Sequence, residues 1–261
     1  MNRHPSSPLR RRTTRGFTLV EILIAMAIMG FAVAGTVTLL TQALRTYYYD
    51  SGRLRVNRDI RTFTQDMDTD AAYSNYFLIY PNFSTRSSGS PVVDAYVADG
   101  QSGDFLLLVT IFACTTDGVG PNGSASGFYA GHNYVTKLVG YYRDATTTTT
   151  GPVRRFSVNV PTSGTHYPAD MTDTSYYTNP GPPMATLLNA VEPTSNQSTN
   201  PVVVQIAEGL AAGSSTSGLF YDFQDKSIMV RGQIIETDNG TINDTNRKAV
   251  NTYNFTVSPR G

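Results

Sequence analysis

The stretch RGFTLVEILIAMAIMG, residues 15–30, contains the features that decide how this chain folds. After Arg15 its one charged residue is Glu21, and no further charge appears until Arg45. The uncharged residues 22–44 number 23. As α-helix they would extend about 34 Å, more than the roughly 30 Å of a bilayer's hydrocarbon core. The sequence therefore predicts a membrane-spanning helix near the N-terminus.

Positive charge precedes this helix. Five arginines lie within the first sixteen residues, which contain no acidic residue: Arg3, Arg10, Arg11, Arg12 and Arg15. Because an excess of positive charge marks the cytoplasmic side of a membrane helix, we predict a cytoplasmic N-terminus and an exported C-terminal body. Without these five, the chain has 15 basic and 20 acidic residues. Such a body argues against nucleic-acid binding through bulk charge, which requires a basic face.

Glu21 is the anomaly in the apolar stretch. An ionised carboxylate near the start of a membrane helix costs on the order of 3 kcal/mol unless a partner neutralises it. If the chain were cut between Gly16 and Phe17, the new α-amino group of Phe17 on a neighbouring subunit would supply a positive charge at the membrane end. Glu21 would then select the register of assembly.

The run Gly16-Phe17-Thr18-Leu19-Val20-Glu21 followed by an apolar helix resembles the prepilin cleavage and methylation motif. That motif is shared by type IV pilins, type II secretion pseudopilins and competence pseudopilins, and the resemblance covers residues 15–35. It implies cleavage after Gly16 by a prepilin peptidase, N-methylation of Phe17 and a filament-forming role for Glu21. The implied partners are other pilin or pseudopilin subunits, an inner-membrane assembly platform and the lipid bilayer.

The resemblance also implies a location. The protein would cross the bacterial inner membrane once, with its N-terminus cytoplasmic before cleavage and its body in the periplasm or in a surface filament. Two alternatives remain open for this segment, namely a secretory signal peptide cleaved after Ala32-Val33-Ala34 and a plain signal anchor. Neither explains why Glu21 follows Gly16-Phe17 so closely.

The second half of the helix carries an apolar stripe of the kind that packs on a sheet. The stripe consists of Tyr49, Val56, Ile60, Phe63, Met67 and Ala71. Arg55, Arg58 and Arg61 fall on the opposite face, either as a solvated surface or in contact with acidic patches of adjacent subunits. We expect helix from Phe17 to about Ala72. We divide the chain into a leader (1–16), a membrane and assembly helix (17–44), its amphipathic continuation (45–80) and a periplasmic β-rich domain (81–261).

Seven segments of the C-terminal body have the composition of β-strands. They are Asp104 to Cys114, Tyr134 to Arg143, Val153 to Val160, Val202 to Ala207, Leu219 to Phe223, Ser227 to Glu236 and Val250 to Val257. One long helix followed by many strands predicts an α+β fold in which an antiparallel sheet covers the helix. Residues 161–201 exceed ordinary loop lengths of ~4–6 residues and are therefore expected to be either mobile or functional.

The body resembles, more weakly, the minor pilins of the PilW type and the minor pseudopilins of the J type. The residues that carry this resemblance are the arginines of the helix, Tyr141-Tyr142-Arg143-Asp144, Arg154-Arg155-Phe156 and residues 218–223. The chain departs from major pilins because it has a single cysteine, has Thr38 where many have proline, and has 245 residues after Gly16. These features favour a minor subunit. The alternative is a binding module displayed on a filament, such as an adhesin or a DNA-uptake pilin, with 161–201 as its binding loop.

The sequence offers little for catalysis. After Gly16 only His132 and His166 are present, and Cys114 is read as a small buried hydrophobe, so a zinc site lacks ligands. Residues 123–127 place Ala125 where a nucleophile motif requires serine. Residues 238–244 contain Asn-Gly and are read as a turn rather than a calcium loop. We therefore predict a non-enzymatic protein without metal or cofactor.

Overall fold

The computed structural model describes residues 16–88, 93–124, 127–144, 150–160, 184–191, 199–209, 218–236 and 249–260. The chain divides into two compact units, the first ending at Tyr48 and the second beginning at Tyr49. The first helix, α1 (Leu19–Ala72), contributes residues to both units. Its observed ends agree with the predicted helix from Phe17 to about Ala72.

The second unit contains the strands and one further helix. In chain order these are β1 (Tyr76–Tyr80), β2 (Ser87–Ser88), β3 (Val93–Asp94), β4 (Ser102–Gly103), β5 (Phe105–Ala113), β6 (Val119–Gly120), β7 (Gly123–Ser124), β8 (Asn133–Arg143), β9 (Thr150–Asn159), α2 (Met184–Val191), β10 (Val202–Gly209), β11 (Phe220–Phe223), β12 (Ser227–Glu236) and β13 (Ala249–Val257). All seven predicted strands are present, with ends shifted by at most three residues.

Nine strands of the described residues form one antiparallel sheet. Its order is β1-β5-β8-β9-β10-β12-β11-β4, with β13 paired to β12. β2 with β3, and β6 with β7, form two small hairpin sheets. The predicted α+β fold is confirmed, because one long helix packs on a large antiparallel sheet.

Each face of the sheet is covered by a different helix. On one face Val56, Phe63, Met67 and Ala71 of α1 pack against alternate strand residues: Leu106 and Leu108 of β5, Val139 and Tyr141 of β8, and Val153 of β9. On the other face Met184, Leu187 and Leu188 of α2 pack against Leu107, Val109, Leu138, Tyr142 and Phe156. Because successive strand residues point to opposite faces, both sides of the central strands are apolar.

The apolar stripe of α1 is largely as predicted. Val56, Phe63, Met67 and Ala71 are buried and Ile60 is half-buried. The prediction is wrong for Tyr49, because its side chain is 49% exposed. The first buried residue of α1 is Gly52, so Tyr49 precedes the part of the helix that contacts the sheet.

The assignment of residues 45–80 to the helix needs correction. α1 ends at Ala72, where the Ser74 N–H bonds to the Ala71 carbonyl at 3.0 Å. The Asn75 N–H then bonds to the Val109 carbonyl of β5 at 2.9 Å. Residues 76–80, YFLIY, are aromatic and aliphatic and form β1 rather than helix.

The segment 161–201, predicted as one long loop, contains a helix. Residues 184–191 form α2, which the sequence argument missed, while residues 161–183 and 192–198 lie outside the described residues. α2 is fixed at its start because the Met184 N–H donates to the Asp94 carboxylate at 2.7 Å. Its Asn189 accepts a hydrogen bond from Arg86, a fully buried arginine.

Candidate functional site

The predicted processing junction lies just before α1. Gly16, Phe17 and Thr18 are non-helical and exposed, and the helix begins at Leu19. The first helical hydrogen bond runs from the Ile22 N–H to the Thr18 carbonyl at 3.2 Å. The peptide bond between Gly16 and Phe17 is therefore accessible and outside the hydrogen-bonded helix, as a protease substrate requires.

Thr18 and Glu21 form a reciprocal cap at the start of the helix. The Glu21 Oε2 accepts hydrogen bonds from the Thr18 N–H at 2.9 Å and from the Thr18 hydroxyl at 3.0 Å. The Glu21 N–H donates to the Thr18 Oγ1 at 3.3 Å. This pairing is the capping box expected when threonine is followed three residues later by glutamate.

The capping box changes the interpretation of Glu21. From the sequence we expected a partner for its carboxylate on a neighbouring subunit, whereas Thr18 of the same chain already donates hydrogen bonds to it. The spacing Thr18-x-x-Glu21 is the sequence signal of this cap. Because all the hydrogen bonds to this carboxylate fall on Oε2, Oε1 faces no donor among the described residues.

The helix after Glu21 has the properties of a membrane span. Its apolar side chains are exposed through Leu44, and among the described helices α1 is the one long and apolar enough to cross a bilayer. Its threonine hydroxyls do not need water, because Thr36, Thr38 and Thr41 donate to the carbonyls four residues earlier at 2.8–2.9 Å. This segment fits a membrane-anchored, single-pass protein.

In the second unit, Asp70 connects α1 to two strands. Its buried carboxylate receives a bidentate pair from Arg155 of β9, with Nε to Oδ2 at 2.7 Å and Nη2 to Oδ1 at 2.8 Å. The Tyr141 hydroxyl of β8 donates to the same Oδ2. Burial, together with the bond to Asp70, raises the pKa of Tyr141 above its usual value, so the phenol stays protonated.

Two further ion pairs hold the neighbouring strand ends together. Arg143 of β8 pairs with Asp104, whose Oδ1 also accepts the Leu219 N–H at 3.1 Å. Arg154 of β9 pairs with Asp144 through Nε and Oδ2 at 2.7 Å. Burial raises the pKa of Asp104, and the charge of Arg143 opposes that rise.

Two of the segments behind the weaker resemblance, residues 141–144 and 154–156, are thus brought together. β8 and β9 pair so that Tyr141 faces Arg155 and Tyr142 faces Arg154. Their charged groups are occupied with Asp70, Asp104 and Asp144. They join the helix to the sheet, and the sequence argument did not predict Asp70 as their partner.

The arginines on the outer face of α1 are exposed, as predicted. Arg55, Arg58 and Arg61 all lie on the solvent side of the helix. Arg58 lies 3.6 Å from the Asp59 carboxylate through its Nη2. Ion pairs with so exposed a partner contribute little to stability.

The remaining residues singled out from the sequence are Cys114, His132, His166 and residues 238–244. Cys114 is buried, with its Sγ 3.1 Å from the Thr116 carbonyl. His132 is half-buried at the end of the β5–β8 connection. In the part of the chain that the structure describes, no three His, Cys, Asp or Glu residues are placed to hold a metal. His166 and residues 238–244 lie outside that part.

A group of carboxylates surrounds the turn between β11 and β12. Asp222 accepts the Asp225 N–H at 3.0 Å, and Asp99 accepts the Gln224 N–H at 2.6 Å. Burial of Asp222, together with the nearby charges of Asp225 and Asp99, raises its pKa to about 6. These carboxylates close the turn, and Asp222 takes up a proton in mildly acidic conditions.

Comparison with known proteins locates the family signal at the N-terminus. Residues 11–37 match the family model of the prokaryotic N-terminal methylation motif. The match supports a type IV pilin-like protein. No curated protein and no solved structure matches the chain. For a pilin or pseudopilin subunit the motif implies processing by a prepilin peptidase and assembly with other pilin subunits. The helix and antiparallel sheet form the α+β layout of a pilin-like protein.

Proposed function

We propose that the chain is a non-enzymatic minor subunit of a type IV pilus or of a type II secretion pseudopilus, assembled through α1. The observation that carries this proposal is the methylation motif at residues 11–37. Its residues 19–37 form the first part of an exposed apolar helix that is capped at Thr18. An ordinary signal sequence needs neither Glu21 nor a helix that continues into the folded body.

Maturation is proposed to occur at the Gly16–Phe17 bond. A prepilin peptidase would cut there and methylate the new amino group of Phe17. The exposed, non-helical position of both residues supports this assignment. The body would then be exported to the periplasm or a surface filament, while α1 stays in the inner membrane until assembly.

Glu21 is proposed to have two roles. In the single chain its Oε2 caps the helix through Thr18. During assembly its Oε1 would meet the α-amino group of Phe17 on the neighbouring subunit, so that neither charge remains unpaired in lipid. The capping box therefore holds the carboxylate at the helix start before the neighbour arrives.

A minor subunit of the PilW or J type is favoured over a major one. The single cysteine excludes an internal disulfide, and 245 residues after Gly16 make a large body for a bulk subunit. The Tyr141–Asp144 and Arg154–Phe156 segments that resemble minor subunits also anchor α1 to the sheet.

The proposal is tested with two variants at Glu21 in the full chain. Glu21→Gln keeps an acceptor for the capping box but loses the charge, while Glu21→Ala loses both. Both variants should be cleaved and inserted in the membrane, and both should fail to co-purify with other pilin-like subunits. Recovery at the wild-type level with Glu21→Gln would show that the charge is not what assembly requires.

A further inference from the structure

β13 is a long strand at the end of the sheet. It pairs with β12 over nine consecutive positions, from Ala249 with Glu236 to Val257 with Ile228, without a shift of register. Among the described strands, β12 is the one that pairs with β13. The other side of β13 therefore presents backbone groups that no described strand occupies.

The hydrogen bonds of β12 identify those groups. The Arg231 N–H donates to the Leu219 carbonyl at 3.0 Å, on the β11 side of β12. Backbone groups alternate along a strand, so even-numbered residues of β12 face β13. Their partners are the odd-numbered residues of β13. The outward N–H and C=O groups then belong to the even-numbered residues, namely Val250, Thr252, Asn254 and Thr256.

The strand itself lacks the charges, prolines and bulges that commonly protect an edge against pairing. The sequence of β13, AVNTYNFTV, contains no charge and no proline, and its pairing contains no bulge. Natural sheets commonly use those devices to block strand addition. The opposite end of the sheet is covered, because the Val97 N–H donates to the Ile79 carbonyl of β1 at 2.7 Å.

The segment around Gly103 also packs closely against β1. The backbone of Gly103 approaches β1 so tightly that a Cβ added there would lie 2.0 Å from the Tyr80 carbonyl oxygen. The Asp104 N–H continues the contact by donating to the Pro81 carbonyl at 2.9 Å. The two ends of the sheet thus differ, since one is covered by its own chain and β13 is left uncovered by the described residues.

We propose that the outer edge of β13 binds an extended strand of a neighbouring pilin-like subunit. A row of alternating backbone donors and acceptors, repeated about every 6.8 Å, is matched by another extended polypeptide. β13 also lies beside α1, through Asn251 Nδ2 to Asn57 Oδ1 at 2.7 Å. A subunit that packs along this part of α1 would lie close to this edge. The proposal rests on the proposed function, which supplies that neighbour.

The apolar side of the edge agrees with such a partner. The ring of Phe63 on α1 lies 5.7 Å from Phe255 and 6.0 Å from Tyr253, measured between ring centroids. Tyr253 is buried, but Phe255 remains half-buried. A strand added to β13 would cover the exposed part of Phe255, while the uncharged Thr252, Asn254 and Thr256 would flank it on the other face.

The test compares two substitutions at one position in the full, membrane-inserted chain. Asn254→Pro removes the outward N–H but leaves the bonds to β12 intact, as proline does on edge strands. Asn254→Ala keeps that N–H and removes only the side chain. The two variants are compared at equal amounts in the membrane and after their thermal unfolding is shown to match. Asn254→Pro should recover partner subunits about tenfold less well, because it loses a backbone hydrogen bond and adds the bulk of the proline ring. Asn254→Ala should recover them normally.

Amide hydrogen exchange of the wild-type chain provides a second measurement that does not depend on a variant folding. The peptide covering β13 should exchange more slowly in the assembled filament than in the detergent-extracted subunit. Equal partner recovery by both variants, or unchanged exchange of β13 on assembly, would overturn the proposal. Glu21→Gln separates this failure from failure of the proposed function, because the proposed function predicts that this variant loses partner recovery whether or not β13 pairs.

Discussion

Asp70 of the long helix and Arg155 of the sheet form a bidentate ion pair, with both guanidinium–carboxylate distances below 3 Å. The pair crosses the boundary between α1 and β9, and Tyr141 donates to the same carboxylate. Arg155→Ala should therefore leave a buried carboxylate without its cation. We expect a loss of about 3 kcal/mol in the free energy of unfolding of the second unit.

The matched control is Arg58→Ala. Arg58 has a 75% exposed side chain and lies 3.6 Å from its acidic neighbour, so this change should alter stability by less than about 0.5 kcal/mol. Urea unfolding monitored by circular dichroism measures both. Similar small losses for the two variants would mean that Asp70 is solvated and that the ion pair does not fix the helix to the sheet.

A chain that starts at Tyr48, without the membrane segment, should be soluble and fold alone. The second unit begins at Tyr49 and contains both the α1 stripe and the sheet that covers it. Phe63→Asp should unfold this chain, because Phe63 is fully buried and an aspartate there would have no partner. Phe63→Ala should leave a cavity and lower the free energy of unfolding by about 3–5 kcal/mol. Near wild-type melting of Phe63→Asp would show that the stripe is not core.

The strands could be predicted because the signal for each one lies within its own run of residues. β5, β8 and β12 are runs of aliphatic and aromatic residues bounded by turn residues, and their ends were found to within three residues. The stripe from Val56 to Ala71 was likewise visible from its helical spacing. Such periodic patterns survive in the fold because burial of apolar side chains decides which face points inward.

Other features depend on contacts between distant residues. In the sequence, Asp70 is indistinguishable from the other acidic residues of the helix. It becomes the partner of Tyr141 and Arg155 because β8 and β9 lie next to it in the fold. α2 is a short helix whose apolar residues are buried because they pack on the second face of the sheet. Nothing in the local sequence of either segment shows which strands it will meet.

The processing and assembly roles of Gly16, Phe17 and Glu21 stay predictions. Gly16, Phe17 and Glu21 were identified from their order along the chain, and the structure places the first two in exposed backbone outside the helix. The capping role of Glu21 was missed, although the pair Thr18 and Glu21 has the spacing of a capping box. Glu21 was interpreted through the cost of a charge in lipid, and its ability to bond to the N–H groups at the start of the helix was not considered.

Asp222 should make the stability of the domain depend on pH. Burial and the neighbouring carboxylates raise its pKa from 3.8 to about 6 in the folded protein. Since the folded state holds this proton more tightly than the unfolded state, the stabilisation is complete below about pH 4 and is lost as pH rises through 6. Asp222→Asn, which keeps an acceptor for the Asp225 N–H, should remove that dependence.

Thermal unfolding at pH 4 and pH 7 checks this expectation. The melting temperature of Asp222→Asn relative to wild type should be higher at pH 7 than at pH 4, because only ionised Asp222 destabilises the folded state. A difference that is constant across this range would show that Asp222 titrates normally. Asp117→Asn serves as a control, since Asp117 is an exposed carboxylate away from this turn.

The mature N-terminus tests the central claim most directly. Full-length protein purified from the membranes of cells with a prepilin peptidase should be analysed by mass spectrometry of its N-terminal peptide. The account predicts that the peptide begins at Phe17 and carries one added methyl group on its α-amino nitrogen. An N-terminus at Gly35, following Ala32-Val33-Ala34, would instead identify a secretory signal peptide, and an uncut chain would identify a plain membrane anchor. Either result would contradict the account.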